Sequence, residues 1–204
     1  MRDCFRSPIQ EIFEAASLLD RAAAAHLAGE RLEADRLIRL ADMSIVAEWT
    51  ESILGANSAH VLVSPDREPS LPVATRVPVR MPSAQEKGML HERDGFHCRF
   101  CGIPVMRSAV RDKLRRHYPT ALRWGKRNSE RHAAFFCMWV QYDHVLPHAK
   151  GGDNSLSNLV VTCSACNYGR GGYTLSEVGL NNPFERPPVR SAWDGLERLF
   201  EAGS

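Results

Sequence analysis

Apolar residues recur at helical spacing in the first quarter of the chain, in two stripes separated by a glycine-containing turn. The stripes are Ile9, Ile12, Phe13, Ala16 and Leu19, then Ile38, Ala41, Ile45, Trp49 and Ile53. Gly29 lies between them, so the pattern predicts an antiparallel hairpin of two helices over residues 1–55. Such a hairpin packs on a neighbouring region or forms a homodimer or protein contact. The pattern leaves these alternatives and the role of the hairpin open.

The pattern changes after this hairpin. Five prolines between residues 56 and 83 predict an extended linker. The sequence "SAQE" at 83–86 has the spacing of a capping box and predicts a helix that continues through "KGMLHERDG". Further on, "FFCMWVQYDHV" at 135–145 and "LVVTC" at 159–163 are rich in aromatic and β-branched residues and predict two strands. A helix is expected to begin near Ser164.

Composition places the chain among soluble globular proteins, with 44% hydrophobic and 25% charged residues in 204. The N-terminus lacks the apolar run of a secretory signal. The most apolar stretch, "AAFFCMWVQY", is too short to cross a bilayer. We therefore expect a cytoplasmic protein without membrane contact, in which the six cysteines are thiols or metal ligands.

Positive charge is concentrated late in the chain although the net charge is only +2. Residues 107–131 hold nine Lys or Arg and two acids, an excess that favours a polyanionic partner such as DNA. The candidate nucleic-acid contacts here are Arg111, Arg115, Arg116, Lys126 and Arg127, while Tyr118 and Trp124 could stack on bases. A merely solvated helix face, with the aromatic residues packed on the core, is the alternative.

Four cysteines form two pairs with the same spacing. Cys98 and Cys101 form "CRFC", and Cys163 and Cys166 form "CSAC". Two such turns can complete a tetrahedral Cys4 zinc site with no open position, which is typical of structural zinc. A single pair would also fit thiol redox chemistry, but two pairs favour zinc.

The segment "DHVLPHAKGGDNSLSNLVVTCSACN" resembles the signature of the HNH nucleases, which have a ββα-metal fold. Asp143-His144, Asn158 and Asn167 stand in the order and spacing of that family, and the two CxxC pairs are similar to its zinc-containing branch. The resemblance covers roughly residues 84–180. It implies an α+β fold with a ββα-metal domain and a Cys4 site, preceded by the helical hairpin. It leaves 102–136 as a basic insertion and 181–204 as a tail with a short helix.

The resemblance also implies roles for individual residues. His144 would be the general base, Asp143 and Asn167 would hold one divalent ion, and Asn158 would fix the loop. Arg170 stands where relatives often have lysine and could contact the phosphate. The residue chemistry agrees, because imidazole titrates near neutral pH and hard oxygens suit Mg²⁺ or Mn²⁺. His148 fits a DNA contact, support for a neighbouring side chain, or a plain exposed position.

The sequence thus predicts a metal-dependent endonuclease that cleaves DNA and carries a separate structural Zn²⁺. Two alternatives are a non-catalytic zinc module that only binds nucleic acid and a protein-interaction adaptor built on the N-terminal helices. The three glycines in "NYGRGGY" indicate that the metal-bearing helix is short.

Overall fold

The computed structural model describes residues 1–54, 58–78 and 81–201. The remaining residues of the predicted linker and tail, and the last residue of the predicted hairpin, lie outside this part of the chain. The helices are α1 (Gln10–Leu27), α2 (Arg31–Leu40), α3 (Ser44–Ile53), α4 (Ala84–Asp94), α5 (Ser108–His117), α6 (Ala133–Cys137), α7 (Ser164–Arg170) and α8 (Arg198–Glu201). The strands are β1 (Gln141–His144) and β2 (Leu159–Thr162). This mixture of helices and a small sheet confirms the predicted α+β class.

The N-terminal region has three helices, so the predicted number of two was wrong, although α1 and α2 do pack together as a hairpin across Gly29. The second apolar stripe is interrupted at Asp42, between α2 and α3. The Asp42 carboxylate accepts hydrogen bonds from the Ala133 backbone N–H (2.7 Å) and the Arg123 guanidinium (2.8 Å). These tertiary contacts hold the chain at the break. The stripe therefore divides between two parts of the core, and Ile45 is 44% exposed.

The predicted strand at 135–145 was also wrong in its first half, because Ala133–Cys137 form the short helix α6. All five residues of α6 are buried. A continuous apolar run has no polar face to reveal its period, so helix and strand cannot be told apart from such a pattern. Only residues 141–144 form β1, which pairs antiparallel with β2 in the register Asp143 to Val160 and His144 to Leu159.

The apolar residues form two cores, and the N-terminal helices contribute to both. One core joins Trp49 and Ile53 of α3 to β2 and the cysteine pairs. The other packs α1 and α2 against the 102–136 segment, including Leu114 and Phe135. The N-terminal helices are therefore packed on the neighbouring region of the same chain.

Helix α4 begins with the predicted capping box, in which the Ser83 side chain accepts from Glu86 N–H and the Glu86 carboxylate accepts from Ser83 N–H. At its other end, Asp94 is 1% exposed and accepts from the backbone N–H of Val161 in β2 (3.0 Å). The helix thus ends against the sheet. Its C-terminus leads directly into the first cysteine pair.

The linker is irregular over 58–78 apart from one 3₁₀ turn at Val73–Thr75. It packs along the body of the protein: Ser64 N–H donates to the Glu177 carbonyl (2.7 Å) and Leu71 N–H to the Ala149 carbonyl (2.8 Å). Among the described helices, none combines the length and apolar character that would be needed to cross a membrane.

Candidate active site and metal centre

A cleft of about 690 Å³ lies beside the end of β1. Its floor holds Asp143 and His144 from β1 and Asn167 and Arg170 from α7, and His148 lies at its edge. Five of the predicted site residues are therefore brought together by the ββα order of β1, β2 and α7. One wall, formed by Val73, Arg76, Val77, Pro78 and Met81, comes from the linker and its end.

Asp143 and Arg170 form a buried ion pair at the base of the cleft. Arg170 is 1% exposed, and its Nε lies 2.8 Å from Asp143 Oδ2, while its Nη2 contacts Asp143 Oδ1. The remaining guanidinium hydrogen bonds go to the backbone carbonyls of His144, Tyr173 (2.6 Å) and Val145 (3.5 Å). The guanidinium therefore clamps the end of β1 to the end of α7, an arrangement that the sequence pattern did not indicate.

His144 is buried and its ring orientation is fixed by Asn154. His144 Nε2 donates to Asn154 Oδ1 over 2.9 Å, which leaves Nδ1 as the ring nitrogen with a lone pair. Burial lowers the pKa of His144 below its ordinary value, and the Asn154 hydrogen bond and the Asp143 charge offset part of this effect. The neutral imidazole is thus favoured near neutral pH. No spacing rule in the sequence identified Asn154.

Asn158 holds the two ends of the loop that follows β1. Its Oδ1 accepts from Leu146 N–H (2.7 Å), and its Nδ2 donates to the carbonyls of Leu146 (3.2 Å) and Asp153 (2.9 Å). Gly152 is required in the same loop, since a Cβ there would lie 1.8 Å from the Leu146 carbonyl oxygen. These contacts fix the chain between His144 and its partner Asn154.

The middle of this loop is tied to the linker and to Glu177. His148 Nε2 donates to the Val77 carbonyl (2.7 Å), and Lys150 forms a buried ion pair with Glu177. Glu177 also accepts from the backbone N–H of Glu68 and of Thr174, both at 2.8 Å. Although burial opposes ionisation, the Lys150 and backbone hydrogen bonds lower the pKa of Glu177 to about 2. The sequence predicted the linker, but neither its contact with this loop nor the part played by Glu177.

The four paired cysteines converge on one point. The sulfur atoms of Cys98, Cys101, Cys163 and Cys166 all lie within 4.8 Å of one another. Cys98 N–H donates to the Ile103 carbonyl and Gly102 N–H to the Cys98 carbonyl, both at 2.9 Å. Cys163 caps α7, because its sulfur accepts from Cys166 N–H (3.4 Å). The cluster is compatible with a structural zinc, and the remaining cysteines, Cys4 and Cys137, lie outside it.

The basic segment 107–131 divides into exposed and packed residues. The side chains of Arg115, Arg116, Lys126 and Arg127 are exposed. Arg111 instead lies over the ring of Trp124, with its guanidinium carbon 4.0 Å from the ring centroid.

The two aromatic residues predicted in this segment are both in packed positions. Tyr118 is 4% exposed and lies 2.9 Å from His26 Nδ1 through its hydroxyl, so it packs the segment on α1. Trp124 is half-buried beneath Arg111 and Arg131. For Tyr118, the structure therefore agrees with the alternative in which the aromatic side chains of this segment pack on the core.

Residues 139–179 match the family model described as HNH endonuclease. The matched segment contains β1, β2 and α7 with Asp143, His144 and Asn167, so the resemblance inferred from the sequence is confirmed at the level of the family. The match begins after Cys98 and Cys101 and carries no information on the zinc-containing branch. No curated protein and no solved structure matches the chain.

Proposed function

We propose that the protein is a metal-dependent HNH endonuclease that hydrolyses phosphodiester bonds in DNA. The observation that carries this proposal is the cleft that gathers Asp143, His144 and Asn167 within the matched segment. Hydrolysis of a phosphodiester needs a base for the attacking water and a cation for the negative charge, and these three side chains fit both needs.

We assign the role of general base to His144. Its Nε2–H is held by Asn154, so Nδ1 is the nitrogen that takes a proton from water. The water oxygen then attacks phosphorus while the bond from phosphorus to the leaving oxygen breaks, and the departing alkoxide takes a proton from solvent water. Because burial lowers the pKa of His144, the ring accepts this proton from a neutral resting state at physiological pH.

Asp143 and Asn167 are the proposed ligands of one divalent ion, Mg²⁺ or Mn²⁺. Their carboxylate and amide oxygens are hard donors that line the same cleft. A carboxylate offers about four lone-pair positions, so Asp143 can bind a cation while it accepts hydrogen bonds from Arg170. When bound, the ion offsets charge on the phosphate and on the leaving oxygen.

Arg170 and Asn158 are positioning residues in this proposal. Arg170 is directed at protein oxygens and buried, which supports a role in holding Asp143 instead of the phosphate contact expected from the sequence. Asn158 closes the loop that carries Asn154. His148, through its bond to Val77, supports the linker wall of the cleft.

The remaining roles concern the zinc and the DNA backbone. We assign a structural Zn²⁺ to Cys98, Cys101, Cys163 and Cys166, since four thiolates leave no open position for chemistry. The exposed Arg115, Arg116, Lys126 and Arg127 are the proposed phosphate contacts of the basic segment.

A plasmid cleavage assay tests the proposal. The full chain is incubated with plasmid DNA in Mg²⁺, in Mn²⁺ and without added divalent metal, beside the His144→Ala variant. Cleavage is expected with metal only, and His144→Ala should lower the rate by about 10²-fold or more, because general-base catalysis typically contributes that much.

The matched control is His117→Ala, which removes an exposed histidine outside the cleft and should cleave like the wild type. Near wild-type cleavage by His144→Ala would exclude His144 as the base. DNA binding without cleavage in either metal would favour the non-catalytic binding module, and absence of both would favour the adaptor.

A further inference from the structure

Two aromatic rings in edge contact with each other lie beside the candidate active site. Tyr168 immediately follows Asn167, is 45% exposed and lines the cleft. Trp139 is half-buried, and its ring centroid lies 6.4 Å from that of Tyr168 at an interplanar angle of 66°. We call Trp139 and Tyr168 the aromatic shelf. Neither ring takes part in the proposed hydrolysis.

The cleft continues past this shelf. Met81, Gln141 and Tyr142 line both the cleft and a second hollow of about 310 Å³, which is also lined by Trp139 and Lys87. Tyr168 lines the cleft and Trp139 lines the second hollow, so a strand that runs from the candidate metal site into this hollow would meet both rings. We call the cleft and the second hollow, which share these three residues, the track.

Two arginines lie against the tryptophan rings of this region. Arg111 lies 5.5 Å from the centroid of Trp139 and 4.0 Å from that of Trp124, which in turn packs against Trp139. The Arg111 guanidinium also pairs with the exposed carboxylate of Asp112 (2.9 Å). Arg131 also lies over Trp124 (5.4 Å), and its hydrogen bonds go to neutral groups of Gly125, Lys126 and Asn128. Rings interleaved with cationic side chains are the arrangement that binds single-stranded nucleic acid.

The linker limits what the cleft can hold. Val73, Arg76, Val77 and Pro78 line one side of the cleft, and this segment is attached to the loop after β1 by the bonds from His148 to Val77 and from Leu71 to Ala149. The cleft volume of about 690 Å³ is within the range of pockets that hold a small organic ligand. It suits a short piece of one strand.

We propose that the aromatic shelf binds unpaired bases, so that the preferred substrate is a single-stranded or locally opened DNA strand next to the cleaved bond. This inference rests on the proposed nuclease function and adds the substrate class. The physical reason is that a base within a duplex is covered on both faces by its neighbours, whereas an unpaired base can stack on a protein ring. Tyr168 and Trp139 supply such rings within reach of the cleft.

The test measures binding without cleavage. Fluorescence anisotropy is recorded for the full chain with a labelled single-stranded oligonucleotide and with the same sequence as a duplex, without added divalent metal. The wild type is expected to bind the single strand more tightly. Tyr168→Leu should weaken single-strand binding about tenfold, the effect typical of one lost stacking contact, and leave duplex binding unchanged.

Three further variants make the result specific. Tyr168→Phe retains the ring and should bind like the wild type. Phe184→Leu removes a ring that is 36% exposed beneath Arg93 but lies outside the track, and it should have no effect. Trp139→Leu should weaken single-strand binding as Tyr168→Leu does, provided that its thermal unfolding temperature is unchanged. If that temperature falls, Tyr168→Leu alone decides.

An equal loss on single strand and duplex, or no loss with Tyr168→Leu, would overturn the inference. The outcome is separate from that of the plasmid assay. If the wild type cleaves plasmid but Tyr168→Leu does not weaken single-strand binding, the aromatic shelf is excluded and the nuclease function stands. If Tyr168→Leu weakens single-strand binding but the wild type does not cleave, the shelf stands as a binding site and the hydrolysis is excluded.

Discussion

The cysteine cluster and the cleft are adjacent regions built on the same turn from β2 into α7, but the cluster is closed and the cleft is open. The cluster takes Cys163 and Cys166 from this turn and closes four sulfurs within 4.8 Å of one another. The cleft takes the very next residue, Asn167, which lines the opening together with the buried Asp143 and His144. The cluster brings four protein sulfurs together with no open position, and the cleft keeps space for a substrate.

The difference indicates that the two regions have different roles. The cleft is held by polar contacts such as that from Arg170 of α7 to Asp143 of β1, and the loop after β1 is held by the ion pair of Lys150 with Glu177. The cluster fixes the start of the helix that carries Asn167, because Cys163 caps α7 and Cys166 precedes Asn167. Changes in the cluster should therefore act on folding, and changes in the cleft should act on chemistry and local stability.

The largest expected effect belongs to the cluster. Cys163→Ser removes one of four proposed zinc ligands, and cysteine-bound zinc can contribute about 10 kcal/mol or more to folding. We expect one zinc per wild-type chain by metal analysis, and an unfolded or aggregated variant by circular dichroism. The control Cys4→Ser changes a half-buried cysteine outside the cluster and should fold normally. A folded, active wild type without zinc would contradict the Cys4 assignment.

The next effect concerns the buried ion pair of the cleft. Arg170→Met leaves the Asp143 carboxylate buried without its cation, which should lower the free energy of unfolding by about 3–5 kcal/mol. Urea denaturation measures this change. Arg170→Met combined with Asp143→Asn should recover part of the loss, because the unpaired charge is gone. A double variant no more stable than Arg170→Met would show that the clamp acts through the backbone carbonyl partners of Arg170 alone.

A smaller, pH-dependent effect is expected where the linker meets the loop after β1. The pKa of Glu177 is lowered to about 2, so its contribution is fully present above the unfolded-state pKa near 4.3 and is lost as the pH falls through about 2. The Glu177→Gln variant should be less stable than the wild type at pH 7, by on the order of 3 kcal/mol. The difference should shrink between pH 5 and pH 2. A difference that is constant over this interval would exclude the ionised carboxylate as its source.

The smallest effect belongs to the exposed arginines of α5. Each phosphate contact adds about −0.9 to the slope of log K against log salt on duplex DNA, so replacing Arg115 and Arg116 with Ala should flatten the slope by roughly 2. Binding measured from low to moderate salt gives this slope. Arg36→Ala, an exposed arginine of α2 outside the basic segment, is the control. An unchanged slope with unchanged affinity would show that α5 does not hold DNA.

The sequence indicated features whose residues lie close together in the chain. The capping box at Ser83 and Glu86, the two cysteine turns and the strand-to-helix order around Asn167 follow from fixed short spacings. The contacts between distant residues could not be predicted in this way. No local pattern relates Arg170 to Asp143 or Glu177 to Glu68, because an ion pair or a hydrogen bond between distant segments leaves no periodicity. The break at Asp42 has the same origin, since its partners Arg123 and Ala133 are far along the chain.

The separation of the two cysteine pairs has a consequence for the order of events during synthesis. Between Cys101 and Cys163 lie 61 residues, which a ribosome adds in several seconds. During that delay the thiols of Cys98 and Cys101 cannot yet form a four-sulfur site. Strand β1 with Asp143 and His144 is also made before the second cysteine pair. The second pair and Asn167 are translated together. A newly made chain thus completes its proposed zinc site and its proposed set of cleft ligands together, so that both sites are assembled late.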